Sequence, residues 1–390
     1  MKRFFDLPPN QINMNSGTQS SYPTSVRDFI AEHKEKFRVN PTLGHFDFVP
    51  AIWEAQKKLA QFFKMEPDDM FICHNVTEAL NHFVLGIDKT LLNRIITTDL
   101  EYGATINICQ YRSERENIPL VKTSLEDYLQ DGFVDYDAYF NNLEKILKKN
   151  DLYVVSHIMT SNGDILPLDK IGEICKRKGA RVVVDGAHAP GAMTLDFREY
   201  QNIDFYGGNL HKWMMGPSGT GFGWINPKSK DIIQSLTAGW PTYENAFHLD
   251  AFRGKGTAKK FYLKGTFDFA NFMSLHELLK FWSDIGEENI YSIRLVLREK
   301  LVKGITSEMG WKLLSKNWKT SPLLAFQTPE HISKQGWDFM LNLWQEHSII
   351  VSAPKHFGKH VIRLSPNIYN DERDIENTLE ALKAADNRSS

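Results

Sequence analysis

The sequence predicts an α/β fold, in which a large domain with a mostly parallel sheet is followed by a smaller α+β domain. Three observations support this prediction. Strand-like and helix-like segments alternate between about residues 50 and 265, which is typical of parallel sheets covered by helices. One strand-like segment, residues 182–184, is continuously apolar and ends at a carboxylate, Asp185. After Thr266 the pattern changes to long amphipathic helices and short strands.

The elements of the large domain follow from the spacing of apolar residues. Helical spacing predicts helices over residues 53–64 and 77–86, and residues 94–98 read as a strand. A strand over residues 152–158, a helix over 168–178 closed by Gly179, and a strand over 181–184 come next. Ligands of such sheets lie beyond the carboxyl ends of the strands, and Asp185 stands at one of these ends.

The remaining segments predict two further parts of the chain. Helices over residues 269–285 and 288–305 and strands over 322–327 and 360–364 indicate a small C-terminal domain, residues 269–390. We expect the N-terminal segment, residues 1–45, to pack with this domain and with the substrate pocket. Residues 46–268 then form the large domain, in which the glycine- and lysine-rich residues 253–260 are expected to be an exposed loop.

Composition narrows the class of protein. A length of 390 residues with 42% hydrophobic residues is ample for a large core. A formal net charge of −2 does not favour binding to nucleic acid or to a membrane surface. Cys73, Cys109 and Cys175 are too few and too irregularly spaced for a disulfide framework or a zinc site. The few cysteines and the lack of an apolar run of signal-peptide or transmembrane length lead us to expect a cytoplasmic protein. The 13 histidines show no spacing typical of metal ligands, so we expect no metal.

Two charged residues stand where burial is expected. Asp185 ends the apolar strand, and Lys212 follows in the segment Gly-Asn-Leu-His-Lys-Trp, which is short of other charges. A buried carboxylate and a poorly solvated ammonium each need a partner. Pyridoxal phosphate explains both, because a lysine amine anchors it as a Schiff base and an acid keeps its ring nitrogen protonated. The alternatives are a helix-capping Asp185 and a surface Lys212.

These two segments closely resemble the class V aminotransferase family of fold type I pyridoxal-phosphate enzymes, and within it the isopenicillin N epimerase-like branch. The matching motifs are Asp-Gly-Ala-His-Ala-Pro-Gly, residues 185–191, and Asn-Leu-His-Lys-Trp, residues 209–213. The resemblance extends over roughly residues 12–385. It implies a large cofactor-binding domain with a seven-stranded type of sheet, pyridoxal 5'-phosphate as the cofactor, and a homodimer with shared active sites.

The resemblance also implies a cradle for the cofactor phosphate. Asn75, Val76 and Thr77 match a helix start at which backbone N–H groups and a hydroxyl meet the phosphate, at the positive end of a helix dipole. The alternative is that Thr77 is only the N-terminal residue of a helix. Asn209 and His211 match family positions that contact the same phosphate.

Three further residues match positions around the cofactor ring. His188 resembles the residue that hydrogen-bonds the phenolic oxygen, and with Lys212 and Asp185 it completes the expected catalytic set; a satisfied buried histidine is the alternative. Tyr102 matches the place where the family stacks a ring on the cofactor, with a core tyrosine as the alternative. Thr160 stands where desulfurase relatives have an asparagine near the cofactor's oxygen, so this chain departs from that pattern.

The substrate side and the subunit interface are implied by matches in other segments. Arg363 resembles the arginine that binds the α-carboxylate of the substrate, a task that suits a planar guanidinium. An exposed arginine on a terminal strand is the alternative. Asn15 lies in a segment similar to the loop that lines the substrate pocket in relatives. Thr266 resembles a residue whose hydroxyl reaches the phosphate in the neighbouring subunit.

The reaction is less constrained than the cofactor. Once an external aldimine forms, the α-proton, the carboxylate or a side-chain group can leave, depending on which bond stands perpendicular to the ring. Desulfurase relatives carry a nucleophilic cysteine shortly before the carboxylate-binding arginine, whereas residues 345–362 contain none. We expect α-proton abstraction from an amino acid or a derived metabolite, of the aminotransferase or epimerase type. A β-eliminating C–S lyase and a non-catalytic dimeric scaffold are the alternatives.

Overall fold

A computed structural model of the chain describes residues 1–239, 258–261 and 265–387. The α-helices in these residues are α1 Thr24–Val39, α2 Pro41–Phe62, α3 Val76–Gly86, α4 Gly103–Glu116, α5 Tyr136–Ile146, α6 Leu168–Lys178, α7 Ala258–Phe261, α8 Ala270–Met273, α9 Leu275–Ile285, α10 Glu287–Glu308, α11 Glu330–Gln335, α12 Trp337–His347 and α13 Glu372–Asn387. Most of the expected loop at residues 253–260 lies outside the described residues, and its last three residues belong to α7.

The β-strands of the same residues are β1 Ile12–Asn13, β2 Met70–Cys73, β3 Arg94–Thr98, β4 Leu120–Thr123, β5 Leu129–Gln130, β6 Phe133–Val134, β7 Asp151–Ser156, β8 Arg181–Gly186, β9 Phe205–Asn209, β10 Gly221–Ile225, β11 Lys312–Leu313, β12 Leu324–Gln327, β13 Ile349–Ile350, β14 Lys355–His356, β15 Lys359–His360 and β16 Ile362–Leu364.

The central sheet is mostly parallel, as predicted. Within the described residues it has seven strands in the order β2-β10-β9-β8-β7-β3-β4. Strand β10 runs antiparallel to β2 and β9, and the other neighbouring pairs are parallel. All residues of β7 are buried, as are all residues of β8 after its first. Strands buried on both faces are continuous apolar runs, which explains the sequence that ends at Asp185.

The strand ends that carry polar residues lie at one edge of this sheet. Strand β8 ends just after Asp185, β9 ends at Asn209, and α3 begins shortly after β2. Helix α3 lies close against β9, because a Cβ added to Gly207 would stand only 2.9 Å from Cγ2 of Val76. Only glycine allows this approach, which brings the positive end of α3 to the sheet edge.

Two helices differ from their predictions. Helix α2 begins at Pro41 rather than at residue 53, since the side chain of Asn40 accepts the N–H of Leu43 at 3.3 Å and Pro41 takes a first-turn position that needs no donor. Pro50 lies inside this helix, where a proline usually marks a boundary. The helix predicted over residues 269–285 is divided at Ser274, whose hydroxyl donates to the carbonyl of Asn271 at 2.7 Å.

The C-terminal part packs together with the N-terminal residues. Strands β11, β12 and β16 form an antiparallel sheet, and β1 pairs in parallel with β13. Ile12 and Met14 belong to the apolar cluster that also contains residues of α10, α12 and α13. The described part of the chain contains neither a helix long and apolar enough to cross a membrane nor a group of three or more side chains that could ligate a metal ion.

A buried arginine of α10 connects this part to the large sheet. The guanidinium of Arg294 donates to the carbonyls of Gly191 and Trp213, the latter at 2.7 Å, and to Oδ1 of Asn367 at 2.8 Å. It also lies against the indole rings of Trp213 and Trp282, 5.6 Å and 5.7 Å from their centroids. Burial lowers the pKa of Arg294 to about 9. The loop after β8, the segment after β9 and the loop after β16 are therefore held by one side chain.

Candidate active site

A cavity of about 270 Å³ lies at the carboxyl edge of the central sheet. Of the residues expected to bind the cofactor, all except Asp185 and Thr266 line it, and so does Arg363. These residues come from distant parts of the sequence, so the fold brings the predicted site together. A larger groove of about 840 Å³ lies between the N-terminal residues and α13, but none of the predicted site residues lines it.

Lys212 lies in the segment after β9, at the wall of the cavity. Its Nζ is 3.3 Å from Nε2 of His188. Burial of the amine lowers its pKa to about 7; the positive charge of Arg363 acts in the same direction and the negative charge of Asp185 opposes it. A lysine in this environment has a substantial neutral fraction at neutral pH, as a nucleophilic or basic amine requires.

Asp185 is the penultimate residue of β8 and is only 3% exposed. Its Oδ2 accepts the hydroxyl of Thr105 at 2.6 Å, and its Oδ1 accepts the N–H of Ala187 at 3.0 Å. A turn rather than a helix follows, so Asp185 does not cap a helix. The two donors fix the orientation of the carboxylate and leave it lone pairs for a further donor.

His188 is enclosed between two residues of the lysine segment. Its Nδ1 is 3.5 Å from Nε1 of Trp213, and its Nε2 faces the amine of Lys212. Burial, together with the positive charges of Lys212 and Arg363, lowers the pKa of His188 well below its ordinary value. The imidazole is therefore neutral at physiological pH.

The N-terminal end of α3 lines the same cavity as the lysine. Asn75 caps the helix, with its Oδ1 accepting the N–H of Glu78 at 3.0 Å. The N–H of Val76 donates to Oδ1 of Asn209 at 2.8 Å, which ties the helix start to the end of β9. Thr77 is in the first turn, where N–H groups have no acceptor within the helix. This is a suitable place for a phosphate.

His211 also lines the cavity, and one hydrogen bond defines the orientation of its ring. Its Nδ1 is 3.3 Å from the carbonyl of Thr220, so this nitrogen carries a proton and donates it. Burial lowers the pKa of His211 to about 4, helped by the charge of Lys212. The neutral ring presents Nε2 as an acceptor, and a hydrogen bond from Nε2 to a phosphate would require a second proton. Its phosphate contact stays a prediction.

Arg363 is a buried cation that also lines the cavity. It is 3% exposed, which excludes the alternative of an exposed arginine on a terminal strand. Its guanidinium donates to the carbonyl of Thr160 at 3.0 Å and to Oδ1 of Asn15 at 3.3 Å, while its Nε has no partner among the described residues. Burial lowers its pKa to about 10. Within the described chain no carboxylate forms an ion pair with it, so the site can accept an anionic ligand.

Three other predicted residues have less defined surroundings. Tyr102 precedes α4 and is 52% exposed at the cavity, so it is not a core tyrosine. Thr160 lines the cavity, and its carbonyl accepts a hydrogen bond from Arg363. Thr266 is exposed and does not line the cavity of its own chain. The roles of all three stay predictions.

Two buried residues next to this site were missed by the sequence analysis. Thr105 binds Asp185, and Glu101, 6% exposed, accepts the N–H of Ser156 at 3.0 Å and the hydroxyls of Ser156 and Thr98. Burial raises the pKa of Glu101 to about 7, and the charge of Asp185 adds to the rise. Glu101 precedes the N-cap of α4 and Thr105 lies in its first turn, so no helical spacing of the sequence could have indicated this pair.

The groups at this cavity fit pyridoxal phosphate. They comprise a lysine amine of lowered pKa, a helix start suited to a phosphate, and a guanidinium for which the described residues provide no counterion. A fixed carboxylate at a strand end, Asp185, is buried nearby. Residues 14–378 match the family model "Aminotransferase class-V". The chain belongs to the class V aminotransferase family. It is therefore a pyridoxal-phosphate-dependent enzyme, and the predicted family and cofactor are confirmed.

Individual relatives support the family and the fold over almost the whole chain. The isopenicillin N epimerase of Streptomyces clavuligerus is 24% identical over 387 residues, covering 97% of this chain and 96% of the relative. A mutant of C-DES with glycine covalently linked to its PLP cofactor has a TM-score of 0.85 at 24% identity, with 98% of each chain covered. The cystine C–S lyase C-DES in complex with cysteine persulfide has a TM-score of 0.83 at 24% identity, covering 96% and 97% of the two chains. The fold type I prediction is confirmed.

Proposed function

We propose that this enzyme removes the α-proton of an amino acid or an amino-acid-derived metabolite, in a reaction of the aminotransferase or epimerase type. The observation that supports it most is that Lys212 and Arg363 line one cavity, while the buried Asp185 lies close enough for its charge to act on Lys212. When bound there, the cofactor supplies the electron sink for the pair left by the departing proton. Similarity to the isopenicillin N epimerase of Streptomyces clavuligerus favours this class of reaction.

Each side of the cavity has a separate task in this proposal. The start of α3, with Asn75, Val76 and Thr77, holds the phosphate together with Asn209 and with His211, whose Nε2 takes up a second proton when the anion binds. Asp185 holds the proton of the ring nitrogen, since its carboxylate is oriented by two donors and buried from water.

Other residues are proposed to contact the cofactor ring and its phenolic oxygen. His188 donates from Nε2 to the phenolic oxygen, and Tyr102 and Thr160 stand beside the ring. Thr266 binds the phosphate in the neighbouring subunit of a homodimer, which agrees with its exposure in the single chain.

Lys212 and Arg363 carry out the chemistry on the substrate. Arg363 binds the α-carboxylate with two parallel donors and so fixes the position of Cα. The released Lys212 amine then takes the α-proton and returns it. A pKa of about 7 suits this exchange, because an efficient proton carrier has a pKa near the working pH.

The three parts of the chain predicted from sequence each contribute to this site. Residues 1–45 provide Asn15, residues 46–268 provide Lys212, and residues 269–390 provide Arg363. We propose these boundaries for the three parts. The three cysteines are free and buried, which supports a reducing, cytoplasmic setting.

A β-eliminating C–S lyase is the second candidate, favoured by the structural likeness to the cystine C–S lyase C-DES. It needs the same electron sink and a substrate with a leaving group on Cβ. Persulfide transfer has less support, because Cys73, Cys109 and Cys175 are all buried and none lines the cavity. A non-catalytic scaffold has no use for a desolvated lysine amine and a buried guanidinium at one cavity, because desolvation of such groups costs free energy.

Borohydride reduction of the yellow holoenzyme tests the anchor. The label should appear on the peptide that contains Lys212, and Lys212→Ala should abolish it. A label on another lysine would contradict the proposed site. The exposed Lys228 provides the matched control, since Lys228→Ala should leave the labelling unchanged.

A substrate panel in deuterated water separates the reaction classes. Deuterium at Cα with inversion or keto-acid release, and with no fragment lost, would support the leading proposal. Pyruvate and ammonia from substrates with a β leaving group would support the lyase. If no amine of a broad panel shifts the cofactor absorption, the scaffold is favoured instead.

A further inference from the structure

Three side chains form a short line that ends at the lysine. The indole Nε1 of Trp213 is 3.5 Å from Nδ1 of His188, and Nε2 of the same imidazole is 3.3 Å from Nζ of Lys212. Trp213 and His188 are both buried. The two bonds therefore use both nitrogens of one imidazole.

The positions of the protons follow from which of the three side chains can donate and which can accept a hydrogen bond. An indole N–H can only donate, so Nδ1 of His188 must be its acceptor. A neutral imidazole has one proton, which must then be on Nε2. That proton points to Lys212, and an ammonium has no lone pair with which to accept it. Both hydrogen bonds, from Trp213 to His188 and from His188 to Lys212, can therefore form together only when Lys212 is a neutral amine.

We propose that Trp213 is a positioning residue, which fixes the tautomer of His188 and thereby holds Lys212 as a neutral amine. This inference rests on the proposed function, because it explains how the anchoring lysine is prepared. Neither the motif nor the family model assigns this task to the indole.

The position of Trp213 suits this task. It is fully buried, its carbonyl accepts from Arg294 at 2.7 Å, and its ring lies against the same guanidinium. The indole is thus fixed both at the backbone and at the ring. A donor held in this way has little freedom to turn from Nδ1 of His188.

The other charges around Lys212 act in known directions. Arg363 disfavours the ammonium and Asp185 favours it, and the pKa of Lys212 stands at about 7 after burial is included. His188 and His211 have lowered pKa values, so both rings are neutral near that pH. Loss of the indole donor would let Nδ1 take the proton, and Nε2 could then accept from the ammonium of Lys212.

Two tryptophan variants of the full-length chain test the proposal. Trp213→Phe removes the donor to His188. Trp282→Phe is the matched control, because Trp282 is also buried and lies against Arg294, but its indole donates to the carbonyl of Met214 at 2.8 Å. After removal of the cofactor with hydroxylamine, Lys212 is acylated at a series of pH values, and its modification rate is read by mass spectrometry.

The midpoint of this pH profile should rise by about one unit in Trp213→Phe, the shift that corresponds to one lost neutral hydrogen bond. Trp282→Phe should keep the wild-type midpoint. Nitrogen NMR of histidine-labelled wild-type protein should show His188 with an unprotonated Nδ1, a measurement that does not depend on either variant folding.

An NMR signal of protonated Nδ1 in the wild type would overturn the inference, as would an equal shift in both variants or no shift in either. These results are distinct from failure of the proposed function. If borohydride fixed the cofactor elsewhere, the function would be lost while the tautomer measurement kept its meaning. If Lys212 were labelled but the midpoint did not move, only the role of Trp213 would be lost.

Discussion

The hydroxyl of Thr105 donates to Oδ2 of Asp185 across 2.6 Å, joining the start of α4 to the end of β8. Both side chains are buried. The turn after β8 supplies a second donor to this carboxylate, the N–H of Ala187. One donor is thus local in sequence and the other comes from a separate helix, so packing of α4 against the sheet helps to set the orientation of the proposed pyridinium partner.

Thr105→Val should lower turnover by roughly 10- to 100-fold while the cofactor stays bound, because a hydrogen bond to a charged group is worth about 1.5–3 kcal/mol. Steady-state kinetics on the substrate found in the panel would measure this. Thr97→Val is the matched control, since Thr97 is equally buried but donates to the carbonyl of Val154. Equal losses in both variants would indicate a general packing effect instead.

Asp185→Asn should reduce turnover much further, on the order of 10³-fold, because it removes the charge that keeps the ring nitrogen protonated. The variant should still bind the cofactor, as absorption spectra after dialysis would show. Near-wild-type turnover in a variant that retains the cofactor would show that another acid fulfils this role.

Arg363→Ala should raise KM by roughly 10- to 100-fold, since it removes a charge-assisted bond worth about 1.5–3 kcal/mol. Arg363→Lys keeps the positive charge but loses the planar pair of donors, so its KM should lie between those of the wild type and the alanine variant. The comparison should be repeated with the amide of the same substrate. If Arg363 binds the carboxylate, the KM for the amide should differ little among the three enzymes.

Glu101→Gln should change how stability depends on pH. The pKa of Glu101 is raised from its ordinary 4.5 to about 7, so the folded protein retains a proton that the unfolded chain has lost between these values. Stability in the wild type therefore falls as pH rises from about 4.5 to about 7, by up to about 3 kcal/mol from this group.

In Glu101→Gln that part of the slope should disappear, and urea denaturation at several pH values would measure it. Glu114→Gln, a substitution of an exposed glutamate on the following helix α4, provides the control. A wild-type slope in Glu101→Gln would mean that Glu101 stays ionised in the folded protein.

Local patterns predicted the elements and the motifs well, but not the contacts between distant segments. Strand β3 matches its predicted residues, and α6 ends as expected at Gly179, which adopts φ 66°. The motifs identified Lys212 and His188 as candidate site residues, and the structure shows that their side chains are in contact. The bond between Thr105 and Asp185 joins residues 80 positions apart. No local periodicity encodes such a pairing, because it depends on how α4 packs against the sheet.

The three carbonyl and amide groups bound by Arg294 belong to the segments that carry Asp185, Lys212 and Arg363. Local opening of any one of them breaks bonds that restrain the other two, so the site unfolds as one cooperative unit rather than loop by loop. Cofactor binding to the lysine segment is therefore expected to stabilise the loop after β16 by mass action, although that loop does not line the cavity. Binding of the cofactor should therefore increase the protection of α10 against hydrogen exchange, although no residue of this helix lines the cofactor cavity.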